Sequence, residues 1–150
     1  MTTPIILSLA IIIALLVLLP VLTSGFGTKT PKQGHHSSAN LDKRFIQEKW
    51  SGVESIFNLG GSSNLKNSII EADKLVDFVL KAKGYPGQTM GERMKATKNL
   101  FNNYADYDNF WFAHKVRNNI VHEAAHELNI GEARRTIEYY KKVLKIFGQL

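Results

Sequence analysis

The sequence contains no cysteine and only four prolines, and its first 28 residues carry no charged side chain. Without cysteine the chain forms neither a disulfide nor a thiolate metal site, which agrees with a reducing compartment. No segment alternates apolar and polar residues over the length of a strand, so a sheet-based fold is not indicated. The chain is therefore expected to be helical, and we expect it to work without a cofactor.

The uncharged N-terminal part contains one long apolar run, residues 5–22, with the sequence IILSLAIIIALLVLLPVL. Its length matches that of a helix crossing the hydrocarbon core of a bilayer. A cleaved signal peptide is the alternative, but the basic segment with which such peptides begin is missing here. The sequence therefore predicts a transmembrane anchor with short flanks over residues 1–27, with the lipid bilayer as a partner.

The basic residues nearest the predicted span are Lys29, Lys32, Lys43 and Arg44, all on its C-terminal side. Because basic flanks tend to stay in the cytoplasm, the rest of the chain is predicted to face the cytoplasm from the inner or plasma membrane. Residues 28–40 are polar and rich in serine and glycine, which indicates a flexible linker. The remainder, residues 41–150, is long enough for one compact domain.

The 19 lysines and arginines outnumber the 13 acids, and the net charge of +6 belongs wholly to the residues after 28. Such a balance favours anionic partners, either nucleic acid or the lipids of the inner leaflet. The last predicted helix carries the clearest basic stripe, with candidates for phosphate contact at helical spacing. These candidates are Arg134, Arg135, Lys141, Lys142 and Lys145.

Apolar periodicity predicts an all-α bundle of four to five helices over residues 41–150. The first helix is expected to start at an Asn40 cap and to end at glycines 60 and 61, and the second is expected to end at residues 84–87. The core positions predicted on these two helices are Leu41, Phe45, Trp50, Val53, Phe57, Leu65, Ile69, Ala72, Leu75, Val76 and Val79.

Later helix boundaries follow from capping residues. Thr89 and Glu92 match a capping box, which predicts a third helix that continues through Phe101. The fourth helix is predicted from residue 106 or 108 to Leu128, and the fifth from about Glu132. The core positions predicted on the fifth helix are Ala133, Ile137, Tyr140, Leu144 and Phe147.

Two motifs overlap on the predicted fourth helix. Arg117, Asn118 and His122 form the pattern R-N-x-x-x-H, which suits RNA cleavage without a metal. His122, Glu123 and His126 form the HExxH pattern, which suits peptide hydrolysis with zinc. In this second interpretation the two histidines, one helical turn apart, would bind the metal and Glu123 would be the general base. The third zinc ligand would have to come from the next helix, at Glu132 or Glu138.

Arg117 is predicted to lie inside the apolar face of this helix rather than on its polar face. An ionised guanidinium there must find a carboxylate, a phosphate or several other acceptors. His122 lies about 140° from Arg117 on an ideal helix, so the two would line one cleft only through a second subunit or a helix distortion. The candidate carboxylates for a structural ion pair are Glu54, Glu71 and Asp73.

With R-N-x-x-x-H on its penultimate helix, the basic helical domain over residues 41–150 resembles the HEPN superfamily. Active members are metal-independent ribonucleases with the motif at a dimer interface, and other members only bind nucleotides or partners. The resemblance implies a homodimer and RNA as a partner. It also implies that His122 is the general acid or base, that Arg117 stabilises charge on the phosphorane, and that Asn118 orients either group.

Three functions remain open from the sequence: a HEPN-like ribonuclease or RNA-binding module, a zinc peptidase, and a non-catalytic module that dimerises at the membrane. His114 has two interpretations as well, as a further functional imidazole or as a histidine at the edge of the core. The aromatic residues between Tyr104 and Phe112 either stack on bases or pack inside the domain.

Overall fold

A computed structural model describes residues 41–123 and 127–150 of the chain. The predicted anchor and linker, residues 1–40, lie outside these ranges. The described residues form five α-helices and no strand, which confirms the prediction of an all-α bundle. Within the same ranges, no helix combines the length and the apolar character needed to cross a membrane.

The helices are α1 (Lys43–Asn58), α2 (Ser62–Ala82), α3 (Met90–Lys95), α4 (Tyr104–His122) and α5 (Ile130–Ile146), and a 3₁₀ turn at Lys98–Leu100 precedes α4. α2 is the central helix, because it packs against α1, α3, α4 and α5. The predicted apolar stripe of α2 is confirmed, since all its members are buried, and so is the stripe of α5. Burial of these stripes provides the main apolar contribution to stability.

The beginning of the domain differs from prediction in two details. Asp42 caps α1 instead of Asn40, with its carboxylate accepting the backbone N–H of Arg44 at 3.0 Å. Phe45 keeps 40% of its surface exposed, and the neighbouring Ile46 occupies the core position. Trp50 and Val53 are buried as predicted, so the core face of α1 runs through Ile46, Trp50 and Val53, and Phe45 lies at its edge.

The capping box of α3 is present, with the Thr89 hydroxyl and the Glu92 carboxylate each bonded to the other residue's backbone N–H. The helix ends at Lys95 rather than continuing through Phe101. Gly87 precedes it with φ of 142°, and a Cβ atom there would lie 2.6 Å from the Glu92 Cβ. Only glycine fits this close approach of the chain to the first turn of α3.

The predicted end of the fourth helix is wrong. α4 ends at His122, and Glu123 has an extended backbone with φ of −112° and ψ of 99°. Leu128 is buried in the core, and the Asn129 side chain caps α5 by accepting the Glu132 N–H at 2.9 Å. α4 and α5 are thus separate helices, because Leu128 packs into the core and Asn129 caps a new helix directly after it.

Candidate functional site

The candidate site is organised around Asp73, a carboxylate on the buried face of α2 that is only 3% exposed. Its Oδ1 accepts the Tyr140 hydroxyl at 2.7 Å and lies 2.8 Å from Nδ1 of His114. Its Oδ2 lies 3.2 Å from Nε of Arg117. A buried carboxylate is tolerated only when it is paired and hydrogen-bonded, and here α4 and α5 both supply partners.

The Arg117 guanidinium contacts protein groups through Nε and Nη1, and part of it is exposed to solvent. Its buried Nε faces Asp73 as an ion pair without the alignment of a hydrogen bond, and its Nη1 donates to the Asn118 side-chain oxygen at 3.0 Å. Nη2 makes no hydrogen bond to any residue within the two described ranges. The side chain keeps 26% of its surface exposed. Of the three carboxylates suggested by the sequence, Asp73 is therefore the partner, and Nη2, which has no acceptor among the described residues, can donate to an anion.

Tyr140 of α5 holds Asp73 in place through the hydrogen bond from its hydroxyl to Oδ1. The phenol is completely buried. Burial, followed by the charge of Asp73 and the hydrogen bond to it, raises the pKa of Tyr140 well above its usual value. The hydroxyl therefore stays protonated and remains a donor to Asp73. This arrangement keeps the carboxylate in one position beneath Arg117 and His114.

An open groove of about 510 Å³ lies beside these residues, between α2, the start of α3 and α4. We call it the α2–α4 groove. Arg93 and Asp77 close part of its wall, with the Arg93 Nε and Nη2 both donating to Asp77 Oδ1 at 2.8 and 2.6 Å. The remaining lining residues are Asp73, Lys74, Lys81, Gln88, Thr89, Met90, Gly91, His114, Arg117 and Asn118.

The R-N-x-x-x-H motif is divided by this arrangement. Arg117 and Asn118 bond to each other and line the α2–α4 groove. His122 is the last residue of α4 and is exposed, and it is not among the residues that line the groove. The protomer therefore brings Arg117 and Asn118 together but leaves His122 at the helix end.

The HExxH alternative depended on an unbroken helix from His122 to His126. α4 ends at the first histidine and the backbone of Glu123 is extended, so the helix on which this alternative depended does not continue past His122. His126 itself lies outside the described residues. Within the described part of the chain, no three histidine or acidic side chains are grouped so as to hold a metal ion.

We expect the purified full-length chain to contain no stoichiometric zinc, because α4 ends at His122 and the two histidines of the motif alone do not provide a firm zinc site. The measurement is metal analysis by mass spectrometry after dialysis, followed by thermal unfolding with and without EDTA. EDTA should leave the unfolding of the Glu123→Gln variant unchanged as well. About one zinc per chain, together with a peptidase activity that this variant loses, would instead establish the zinc alternative.

The basic stripe predicted on α5 is only partly available to a partner. Lys141 bonds Glu54 at 2.6 Å, and this contact lowers the pKa of Glu54 and raises that of Lys141. Lys142 bonds Asp106 at 2.7 Å, and the Arg134 guanidinium lies 5.7 Å from the centre of the Phe57 ring. Arg135 and Lys145 are exposed and form no salt bridge or cation–π contact among the residues that the structure describes, although the charge of Lys145 helps to lower the pKa of Glu54.

The aromatic residues that begin α4 are mainly packing residues. Tyr107 and Phe110 are buried, and the Phe101 ring lies 5.5 and 6.1 Å from their ring centres. Tyr104 and Phe112 keep 64% and 38% of their surfaces exposed. The packing interpretation therefore holds for the buried pair, and Tyr104 and Phe112 expose the ring surface that could stack on a base.

The sequence did not reveal the pairing of His114 with Asp73. Two signals were present: an acid within the apolar stripe of α2, and a histidine three residues before Arg117 on α4. Comparisons of this chain with family models, curated proteins and solved structures find no match. The functional assignment therefore depends on the geometry of the groove and on the HEPN resemblance.

Proposed function

We propose that this chain is a membrane-anchored, HEPN-like protein that binds RNA in the α2–α4 groove and cleaves it without a metal as a homodimer. The observation that carries the proposal is the state of Arg117. Its Nε edge is fixed on buried Asp73, its Nη1 on Asn118, and the rest of the guanidinium lines an open groove. A planar cation held in this way suits a phosphodiester, whose oxygens accept several N–H donors at once.

The reaction assigns different tasks to the two ends of the motif. Arg117 would stabilise the negative charge that grows on the phosphorus oxygens, and Asn118 would hold the guanidinium in place. His122 would exchange a proton with the attacking or leaving oxygen, since an imidazole can both accept and donate a proton. The products would be a cyclic phosphate and a 5′-hydroxyl, which require no metal and no water in the first step.

A second copy is part of the proposal because His122 does not line the same groove as Arg117 in one protomer. Two apolar residues support an interface around the end of α4: Val121 and Ile130 keep 48% and 52% of their surfaces exposed. Apolar side chains that flank an exposed histidine are suited to burial against another copy. A symmetric dimer about this end of α4 would place His122 of one copy near the groove of the other.

The exposed cations of α5 extend the proposed RNA surface. Arg135 and Lys145 are exposed, and they share a face with Lys142 at helical spacing. Such cations bind the phosphate backbone without sequence preference and make affinity depend on salt. Binding of RNA by the parent should therefore weaken as salt rises.

The experiment that tests the function is single-turnover cleavage of end-labelled RNAs of diverse sequence by the purified full-length chain in EDTA. We expect cleavage with cyclic-phosphate ends, and a dimer by light scattering. Binding without cleavage would reduce the function to an RNA-binding module. A dimer that neither binds nor cleaves RNA would favour the non-catalytic dimerising module instead.

The membrane part of the proposal is tested by topology, because the basic residues near the span all follow it. A reporter that is active only in the cytoplasm, fused after Leu150, should be active. A reporter that is active only in the periplasm should be inactive at the same position. The reverse pattern, or recovery of a chain that begins near residue 24 or 25, would contradict the anchor.

A further inference from the structure

The Asp73–His114 pair has the geometry of an oriented acid–base group. His114 Nδ1 lies 2.8 Å from a carboxylate that Tyr140 also holds. With Asp73 ionised, Nδ1 carries the proton and donates it to the carboxylate, so Nε2 is the nitrogen left for proton exchange. A buried carboxylate in this position fixes both the tautomer and the orientation of the ring, and it stabilises the imidazolium that forms when Nε2 takes a proton.

The position of His114 distinguishes it from a histidine that only fills the core. Its side chain is 13% exposed and lines the α2–α4 groove together with Arg117 and Asn118. His114 and Arg117 are three residues apart on α4 and therefore share one face of the helix. Within one protomer, the imidazole that shares the groove with the phosphate-binding guanidinium is thus His114, and His122 lies elsewhere.

We propose that His114 is a catalytic base of the groove and that Asp73 is its positioning residue, a role that rests on the ribonuclease function proposed above. Nε2 of His114 removes the proton from a ribose 2′-OH, and the freed oxygen forms a bond to the adjacent phosphorus. The bond from phosphorus to the 5′ oxygen breaks, and that oxygen takes a proton from the imidazolium of His122 of a second copy. Arg117 holds the non-bridging oxygens throughout.

The proton balance closes over one turnover. His114 ends the step protonated and His122 ends it neutral, and exchange with water restores both. In this scheme a neutral His114 acts as the base and a protonated His122 acts as the acid. A single imidazole would have to perform both proton transfers in turn. Asp73 supports this division by holding the His114 ring through Nδ1, which leaves Nε2 for proton exchange.

The first test is the full-length His114→Gln variant, measured by single-turnover cleavage of labelled RNA in EDTA. Glutamine keeps a hydrogen-bond donor for Asp73 but cannot exchange a proton, so we expect the rate to fall by about 10²-fold or more. RNA affinity should change much less, because Arg117 remains. Glu48→Gln, at an exposed position of α1 away from the groove and from the basic face of α5, is the control and should leave the cleavage rate unchanged.

A second variant separates catalysis from folding. In His114→Ala, added imidazole should restore at least part of the lost rate, a rescue that a purely structural histidine would not give. A His114→Gln enzyme that cleaves like the parent, while His122→Ala is inactive, would overturn the role of His114 and leave the ribonuclease intact. A parent that cleaves no RNA would overturn both.

A readout without cleavage tests the location of His114 directly. In the ¹⁵N-labelled parent, the Nε2 resonance of His114 should shift in a saturable manner when inorganic phosphate is added, and the shift should be lost in Arg117→Gln. The Nδ1 resonance should be that of a protonated nitrogen in the neutral ring. An Nε2 resonance that phosphate leaves unchanged would show that His114 does not face the bound anion and would overturn the proposal.

Discussion

Replacement of His122 by alanine is expected to lower the single-turnover rate of RNA cleavage by about 10²-fold or more, which is the effect of losing a general acid or base. The side chain is exposed at the end of α4 and lies outside the hydrophobic core, so folding should be unaffected. Thermal unfolding and light scattering of the full-length variant should therefore match the parent. The rate is measured with labelled RNA in the presence of EDTA.

The neighbouring Asn119 offers a matched control, since Asn119→Ala changes a half-exposed residue of the last turns of α4 outside the motif. Its cleavage rate should stay near that of the parent. Mixing His122→Ala with Arg117→Gln is more informative, because two copies that each lack one group can restore one complete site in a heterodimer. Recovery of activity on mixing would support a shared site, and unchanged activity in His122→Ala alone would exclude His122 from it.

Replacement of Asp73 by alanine is expected to lower the free energy of unfolding by about 3 kcal/mol or more. The change strands the fully buried Tyr140 hydroxyl and leaves the half-buried Arg117 cation without its carboxylate. Each of these buried donors would then lack its acceptor, and the free energy of removing it from water would no longer be offset. The measurement is urea unfolding followed by circular dichroism, with the shift in midpoint compared at equal slope.

Glu71 is the matched control, because it also lies on α2 and pairs with a cation, Lys74, at 2.7 Å. Its side chain is 41% exposed, so Glu71→Ala should cost no more than about 1 kcal/mol. Tyr140→Phe should fall between the two, since it removes one hydrogen bond and keeps the ring. An Asp73→Ala protein as stable as Glu71→Ala would contradict the view that Asp73 organises the site.

Much of the helical architecture is local in origin and was predictable. The stripe of α2 was predicted from spacing alone, and the capping box of Thr89 and Glu92 from four consecutive residues. Boundaries set by packing were not predictable. In sequence, Asn129 is equally suited to end one helix or to cap the next. The burial of Leu128 in the core determines that Asn129 caps α5.

The candidate site shows the same division. The sequence identified Arg117 as a cation on an apolar face that must find an acceptor, and it named Asp73 among three possible partners. The sequence predicted His122 as the functional imidazole, because His122 completes the R-N-x-x-x-H motif. Which imidazole shares a groove with Arg117 depends on how α4 is rotated against α2, and His114 is brought to Asp73 from 41 positions away in the chain.

By itself the sequence determined the all-α class, the excess of positive charge beyond residue 28, and the apolar run at residues 5–22, since composition and periodicity depend only on the order of residues. The tertiary structure decided where α4 ends, which lysines of α5 are neutralised by Glu54 and Asp106, and which side chains meet at Asp73. Those outcomes depend on the packing of helices distant in sequence, because burying a charge forces it to pair with whichever partner the fold brings within reach.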